Sequence, residues 1–358
     1  MRIVSLRSSL IFAAILTGSA SAGPITPGNL AVVRIGGAGG SASAGFIEEY
    51  TTSGVLVQTL ALPTADGAGG NQMCTLVGGA AAHEGYLSLS TDRRYLVLAG
   101  NDIPIGTNVA TSALDRVVAR VDMAGAIDTT THFNLSSGWN ARSAVMDGNN
   151  IWVSGSAINK AVSYTTFGAA SATVITNNFG GSRVAKIYNG QLYDTADPNS
   201  GNPQGVFSIG AGLPTTTGQT PALLPGFPST NTELDIWDVW FADPNTIYFA
   251  DGRAVASGGG VQKWTFNGAA WSRAYTLNIG LGNGVFGLNG ETGGGLNTLY
   301  CTTADNKIVK ITDTGAGSAF TTLVTGVSGN VFRGIVLVPE PASIILIGAA
   351  ALVFARRR

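Results

Sequence analysis

The chain has 358 residues, with 20 Lys and Arg against 21 Asp and Glu for a net charge of −1. No basic run occurs before its last three residues, so phosphate tracking and nucleic-acid binding are excluded as its business. Charged residues are only 11 % and glycines number 50, yet hydrophobics at 45 % are enough for a core, which excludes a disordered chain.

Taken in chain order, the first segment is an export signal. Arg2 and Arg7 form a positive n-region, Leu10 to Leu16 an apolar h-region, and Ala20-Ser21-Ala22 an A-x-A-type cleavage site. Residues 1–22 read as a signal peptide, with mature protein beginning near Gly23. Export permits a disulfide between Cys74 and Cys301, but a pair so far apart does not imply one.

Residues 23–337 read as a body of short strands. Leu30–Ile35, Phe46–Tyr50 and Val55–Leu60 come first, separated by Gly36-Gly37-Ala38-Gly39-Gly40, a flexible hairpin loop. It lacks the Lys-Ser/Thr pair and the following helix that a phosphate loop needs. Hairpins follow, each with a turn rich in Asp, Asn or Gly: Gly85–Ser90 with Tyr95–Ala99, Arg142–Met146 with Ile151–Ser154, and Arg183–Tyr188 with Gln191–Tyr193. Ile236–Phe241 with Thr246–Ala250 and Val285–Leu288 with Thr298–Cys301 complete the set. Second pairs follow at Val117–Val121, Lys160–Tyr164, Val261–Phe266 and Lys307–Ile311, each with its partner strand.

The unit is four strands recurring at roughly 40 to 57 residues, which predicts a propeller. Phe332–Leu337 is a lone first strand at the C-terminal end, and the three N-terminal strands supply the rest of its blade. The expected fold is therefore all-β: a β-propeller of six four-stranded blades, closed by pairing the N- and C-terminal strands, with a short transmembrane-like helix after it. A β-sandwich of about a dozen strands, or a seventh blade in Leu213–Thr232, are the alternatives. The stretch Leu89-Ser90-Thr91-Asp92-Arg93-Arg94-Tyr95-Leu96-Val97 resembles strands of bacterial YVTN- and WD-like propellers, a likeness that brings no catalytic residues with it.

Candidates for chemistry are few. Asp235 and Asp238, near Trp237 and Trp240, could offer oxygen ligands to a Ca²⁺ ion; Asp243 before Pro244 and Asp251 before Gly252 read as turn residues. His83-Glu84 precedes an innermost strand, either as an acid/base pair at the channel mouth or as a solvated loop histidine. His132, the only other histidine, falls on an expected outer strand, so no His dyad is expected. No G-x-S-x-G occurs. No catalytic residue, cofactor or metal is expected. Threonine runs 129–131 and 215–217 are isolated, whereas ice-binding faces need flat, regular ranks of Thr.

The last segment is the most specific. Val338-Pro339-Glu340-Pro341 leads into the apolar run Ala342–Ala355, then Arg356-Arg357-Arg358. As a helix the fourteen-residue run reaches roughly 21 Å, short of a bilayer core of about 30 Å. It suits transient holding, with the arginines on the cytoplasmic side. The prolines keep the preceding segment extended and accessible to a protease. Residues 338–358 resemble the PEP-CTERM sorting tail of Gram-negative bacteria, which an exosortase-type membrane protease recognises and removes. The resemblance implies an exported protein held at the inner membrane, then displayed at or released from the cell surface. It also implies association with exopolysaccharide or a surface protein. The expectation is a non-enzymatic binding or structural propeller. The alternatives are a propeller enzyme (lactonase, lyase or glycan hydrolase) or an ice-binding-type surface protein.

Overall fold

The computed structural model describes residues 23–79, 83–109, 114–135, 140–156, 161–176, 179–196, 204–228 and 234–340. The signal segment with Ala20 and Ala22, and the tail from Pro341 through its apolar run to Arg356, Arg357 and Arg358, lie outside the described residues. Among the described residues no helix is long and apolar enough to cross a membrane.

The body is built of strands in the order read from the repeat. They are β1 (Leu30–Ile35), β2 (Ala42–Tyr50), β3 (Leu56–Ala61), β4 (Thr75–Val77), β5 (Leu87–Leu89), β6 (Tyr95–Asn101), β7 (Arg116–Asp122) and β8 (Ile127–Phe133). Then come β9 (Ala141–Asp147), β10 (Asn150–Gly155), β11 (Val162–Thr166), β12 (Thr173–Val174), β13 (Ser182–Tyr188), β14 (Gln191–Ala196), β15 (Val206–Ile209) and β16 (Pro221–Leu223). The last are β17 (Ile236–Asp243), β18 (Thr246–Asp251), β19 (Gly260–Phe266), β20 (Trp271–Leu277), β21 (Val285–Gly293), β22 (Leu296–Thr303), β23 (Lys307–Asp313), β24 (Thr321–Thr325) and β25 (Val331–Leu337).

Strands β9–β12, β13–β16, β17–β20 and β21–β24 form four separate four-stranded blades. All their pairings are antiparallel, each hairpin turning on Asp, Asn or Gly as alternation and turn chemistry demand. Among its described residues, the stretch offered as an alternative place for a seventh blade supplies β16, the outer strand of β13–β16.

The expected six separate blades are corrected: the remaining strands join into one nine-stranded sheet. Within it run β25-β1-β2-β3 and β5-β6-β7-β8, and β4 bridges β2 to β6. The cause is the length of β2. Its last five residues, Phe46–Tyr50, pair with β3, while Ala42–Ala44 extend beyond it and leave an edge that Val77–Thr75 fills. Thr75 then meets Asn101 of β6, and its hydroxyl donates to the carbonyls of Asn101 and Ile103. Gly100 permits this approach, since a Cβ there would lie 2.6 Å from Cys74 Sγ.

The two ends of the body do pair. Leu30 faces Leu337 and Ile35 faces Val331 in antiparallel register, with a shift between Val32 and Arg34. Around the axis β25, β5, β9, β13, β17 and β21 pack in that order, and β21 packs on β25. Gly334 allows the tightest of these contacts, because a Cβ there would sit 2.1 Å from the Leu87 backbone nitrogen. An apolar layer fills each space between neighbouring sheets; Val145, Trp152, Leu192 and Phe207 make one of them. Cys74 and Cys301 are both free and buried in different layers, and burial pushes the Cys74 thiol up to about 12.

Candidate functional site along the propeller axis

The strands nearest the axis begin with large side chains. Arg142, Arg183 and Arg333 lie near the starts of β9, β13 and β25; Trp237 and Phe286 hold the corresponding places on β17 and β21, and Tyr86 stands just before β5. All three arginines are 5 % exposed or less. Each guanidinium reaches a backbone carbonyl. Arg142 donates to Ser182 O on the next blade (3.0 Å), Arg183 to Ile236 O on the next (2.8 Å), and Arg333 to Gly78 O (2.5 Å) and Phe332 O (3.1 Å). Charge-assisted bonds of this kind are the strong ones, so Arg142 and Arg183 clasp neighbouring blades, while Arg333 ties β25 to the segment after β4 within the nine-stranded sheet.

His83 stands at the centre of this end, only 8 % exposed, with its backbone in the left-handed region at φ 53°. The expectation of a solvated loop residue is corrected. Its ring meets Trp237 edge-on at 4.4 Å, and its Nε2 is 3.5 Å from Arg183 Nη2. Burial first, then the charges of Arg183, Arg142 and Arg333, hold its pKa far below the usual histidine range. Burial among these cations therefore favours the neutral ring. Glu84 beside it is fully buried and points away, accepting from Val77 N–H (2.9 Å) and Asn101 Nδ2 (2.8 Å). Burial raises it to about 7, against the pull of those donors and of Arg116 and Arg142. Asp194 is likewise raised by burial to about 7, while accepting from Ser154 and Ser182 hydroxyls.

The two candidate metal ligands are placed apart in role. Asp235 takes Arg183 Nη1 at 2.6 Å and Trp237 Nε1 at 2.9 Å. Asp238 is fully buried and takes Lys186 Nζ at 2.9 Å, with N–H donors from Val239 and Leu288. Both carboxylates are thus engaged by cations and donors. No group of three or more His, Cys, Asp or Glu that could hold a metal occurs among the described residues. Asp243 accepts from Asn245 N–H and Asp251 from Arg253 N–H, both as Asx turns; Asp251 is buried and also pairs with the Arg253 guanidinium and Gln262. His132 sits on β8, 2.7 Å from Asp115. Of the threonine run on β8, Thr129 and Thr131 turn inward and Thr130 outward, so no flat rank forms there.

The other end of the axis is open. From Arg183 to Tyr188 along β13 is about 16 Å at strand rise, and there the inner strands surround a cavity of about 310 Å³. Ser88, Lys186, Tyr188, Trp240, Phe241 and Asn289 line it, and every inner strand contributes. Tyr188 and Phe241 stack at 4.7 Å with planes 10° apart. A second cavity of about 780 Å³ shares Arg93, Trp240 and Asn289 and runs outward past Lys310 to Val338, Pro339 and Glu340. Neither His83 nor Glu84 lines either cavity. The polar ring at this mouth went unread in the sequence. Its signal lies three to five positions after the large residue that opens an inner strand, as in Lys186 and Tyr188 after Arg183, Trp240 after Trp237 and Asn289 after Phe286, visible only once the inner strands are aligned with one another.

The sorting motif begins inside the body. Val338 is 2 % exposed and exchanges hydrogen bonds with the N-terminal segment: Gly28 N–H donates to Val338 O (2.8 Å), and Val338 N–H to Asn29 O (2.9 Å). Pro339 is half-buried and Glu340 exposed.

Residues 337–358 match the PEP-CTERM protein-sorting motif. The chain thus carries a signal for export and sorting to the cell surface through a membrane-associated intermediate, on a β-propeller body. No curated protein sequence matches the chain. Among solved structures it is similar to the periplasmic gluconolactonase PpgL of Pseudomonas aeruginosa, at 14 % identity over 81 % of this chain and 82 % of that one, TM-score 0.48. It is similar to TolB of Acinetobacter baumannii at 11 % identity over 87 % and 67 %, TM-score 0.47. Apo AztD of Citrobacter koseri matches at 12 % identity over 82 % and 70 %, TM-score 0.37. Likenesses this distant carry no argument about activity.

Proposed function

We propose that this chain is an exported, exosortase-processed propeller of the cell surface or extracellular matrix that works by binding, without catalysing a reaction. Residues 1–22 are the signal peptide, 23–337 the binding body, and 338–358 the sorting tail, with an exosortase-type membrane protease as the processing partner. The ligand is an exopolysaccharide or a surface protein, taken at the mouth of the axis. One observation carries the reading: His83 and Glu84 lie at the Arg end and neither lines the 310 Å³ cavity, whose lining joins aromatic, aliphatic, hydroxyl and amide side chains with Arg93 and an Asp238-paired Lys186. Hydrolytic chemistry needs an acid or base within reach of a substrate atom, and Glu84 is fully buried.

Two measurements test this. Mature body incubated with gluconolactone is expected to give no hydrolysis above the uncatalysed rate. Hydrolysis that disappears in Glu84→Gln would replace the binding reading with an enzyme. Intact-mass analysis of surface material is expected to show a chain ending before Arg356; a retained triple Arg contradicts processing.

A further inference from the structure

The 310 Å³ cavity has a more specific chemistry than its place at the mouth requires. Three hydroxyl side chains line it from one stretch of chain: Ser88, Ser90 and Thr91. Ser90 is engaged, donating to Asp92 Oδ1 at 2.6 Å and accepting from the N–H groups of Arg94 and Tyr95. Thr91 donates to Asp147. Ser88 differs: it is 5 % exposed and its Oγ has no partner. A buried hydroxyl left unpaired is unfavourable, and such groups in native proteins call for an explanation.

The rest of the lining says what would pair with it. Two cations line the cavity: Lys186, whose charge is met at 2.9 Å by Asp238 and so is not free for an anion, and the exposed Arg93. Trp240 is half-buried. Gly290 lets its indole lie against β21, where a Cβ would come within 2.9 Å of Cε3, and Tyr248 supports it at 5.8 Å between centroids. The ring is therefore held in place while it lines both cavities. The stacked Tyr188–Phe241 pair adds a second flat surface. Asn289 receives Leu337 N–H through its Oδ1, which fixes the side-chain amide.

Held aromatic faces beside neutral donors and acceptors suit a ligand with apolar C–H faces and hydroxyl edges. We infer that the cavity is a subsite for a neutral hexose unit of a glycan, with Trp240 beneath the sugar ring and Ser88 Oγ bonded to a sugar hydroxyl. At about 310 Å³ it lies at the small end of the roughly 300–1,000 Å³ range of ligand sites, room for about one sugar. The adjoining cavity of about 780 Å³ takes the units that follow. This rests on the reading above that the mouth is where the protein binds.

Isothermal titration of the mature body with neutral gluco-, manno- and galacto-oligosaccharides, with oligogalacturonate and inorganic phosphate as comparators, tests it. At least one neutral probe is expected to saturate. Ser88→Ala should weaken it about 3- to 10-fold, Trp240→Ala by about tenfold or more, and Ser88→Leu, which fills the cavity, should abolish it. If Ser88→Leu does not fold, the first two variants carry the test. Binding of oligogalacturonate or phosphate alone, blocked by these variants, overturns the neutral-sugar assignment and leaves the mouth as the site. A neutral probe that binds wild type and the variants equally overturns both. No binding by any probe overturns the assignment.

Discussion

Trp237 and Trp240 stand three residues apart on β17 and meet opposite fates. Trp237 belongs to the Arg end of the axis, 4 % exposed, stacked on Phe286 at 3.7 Å and crossed by His83. Trp240 belongs to the mouth, half-buried and lining both cavities. One end uses its polar groups to join sheets; the other keeps aromatic and hydroxyl surface available. The difference shows that a propeller can separate closure from recognition along one strand, provided the strand's two ends are chemically unlike.

Substitutions sharpen this contrast in order of size. Trp237→Ala should cost about 3–5 kcal/mol, the range for a buried aromatic, whereas Trp240→Ala should cost well under half of that in urea unfolding. Equal losses would erase the distinction between the ends. Asp238→Ala, leaving Lys186 without its counter-charge, should cost about 3–5 kcal/mol as well. Loss below 1 kcal/mol would mean that this pair does not hold β13 to β17. Arg333→Met, which strands the Gly78 carbonyl, should cost about 1–3 kcal/mol.

The pH response follows from the buried acid at the Arg end. Glu84 is raised from an ordinary 4.5 to about 7 in the folded protein. Its protonated form therefore favours folding, an effect fully present below about 4.5 and lost as pH rises through about 7. Wild type should gain about 2–3 kcal/mol relative to Glu84→Gln between pH 8 and pH 5. Urea midpoints that move in parallel would show that Glu84 is not held in that burial. Ser88→Ala should be the smallest effect, within about 0.5 kcal/mol of wild type, because its hydroxyl bonds nothing in the fold.

Much of this was legible in the chain. The hairpins announce themselves through turns such as Asp147-Gly148-Asn149 and Asn189-Gly190, and the join of Leu30–Ile35 to Phe332–Leu337 follows from counting strands. β4 was not legible. Three residues, Thr75-Leu76-Val77, carry no period, and their partners lie 26 to 35 positions away. The arginine clasps were missed for a different reason: an Arg in an apolar strand reads as an edge residue until Ala141-Arg142, Ser182-Arg183 and Phe332-Arg333 are set beside one another. The mouth cavity needed three dimensions, since Ser88, Trp240 and Asn289 are ordinary strand residues that only closure brings together.

The docking of Val338 on Asn29 leaves no slack between the last inner strand and the sorting motif. Pro339 and Glu340 form part of the rim of the larger cavity itself. A chain held by its final segment would therefore face its holder mouth first, like a cup set upside down on a table. Cutting the tether would then free the mouth together with the body.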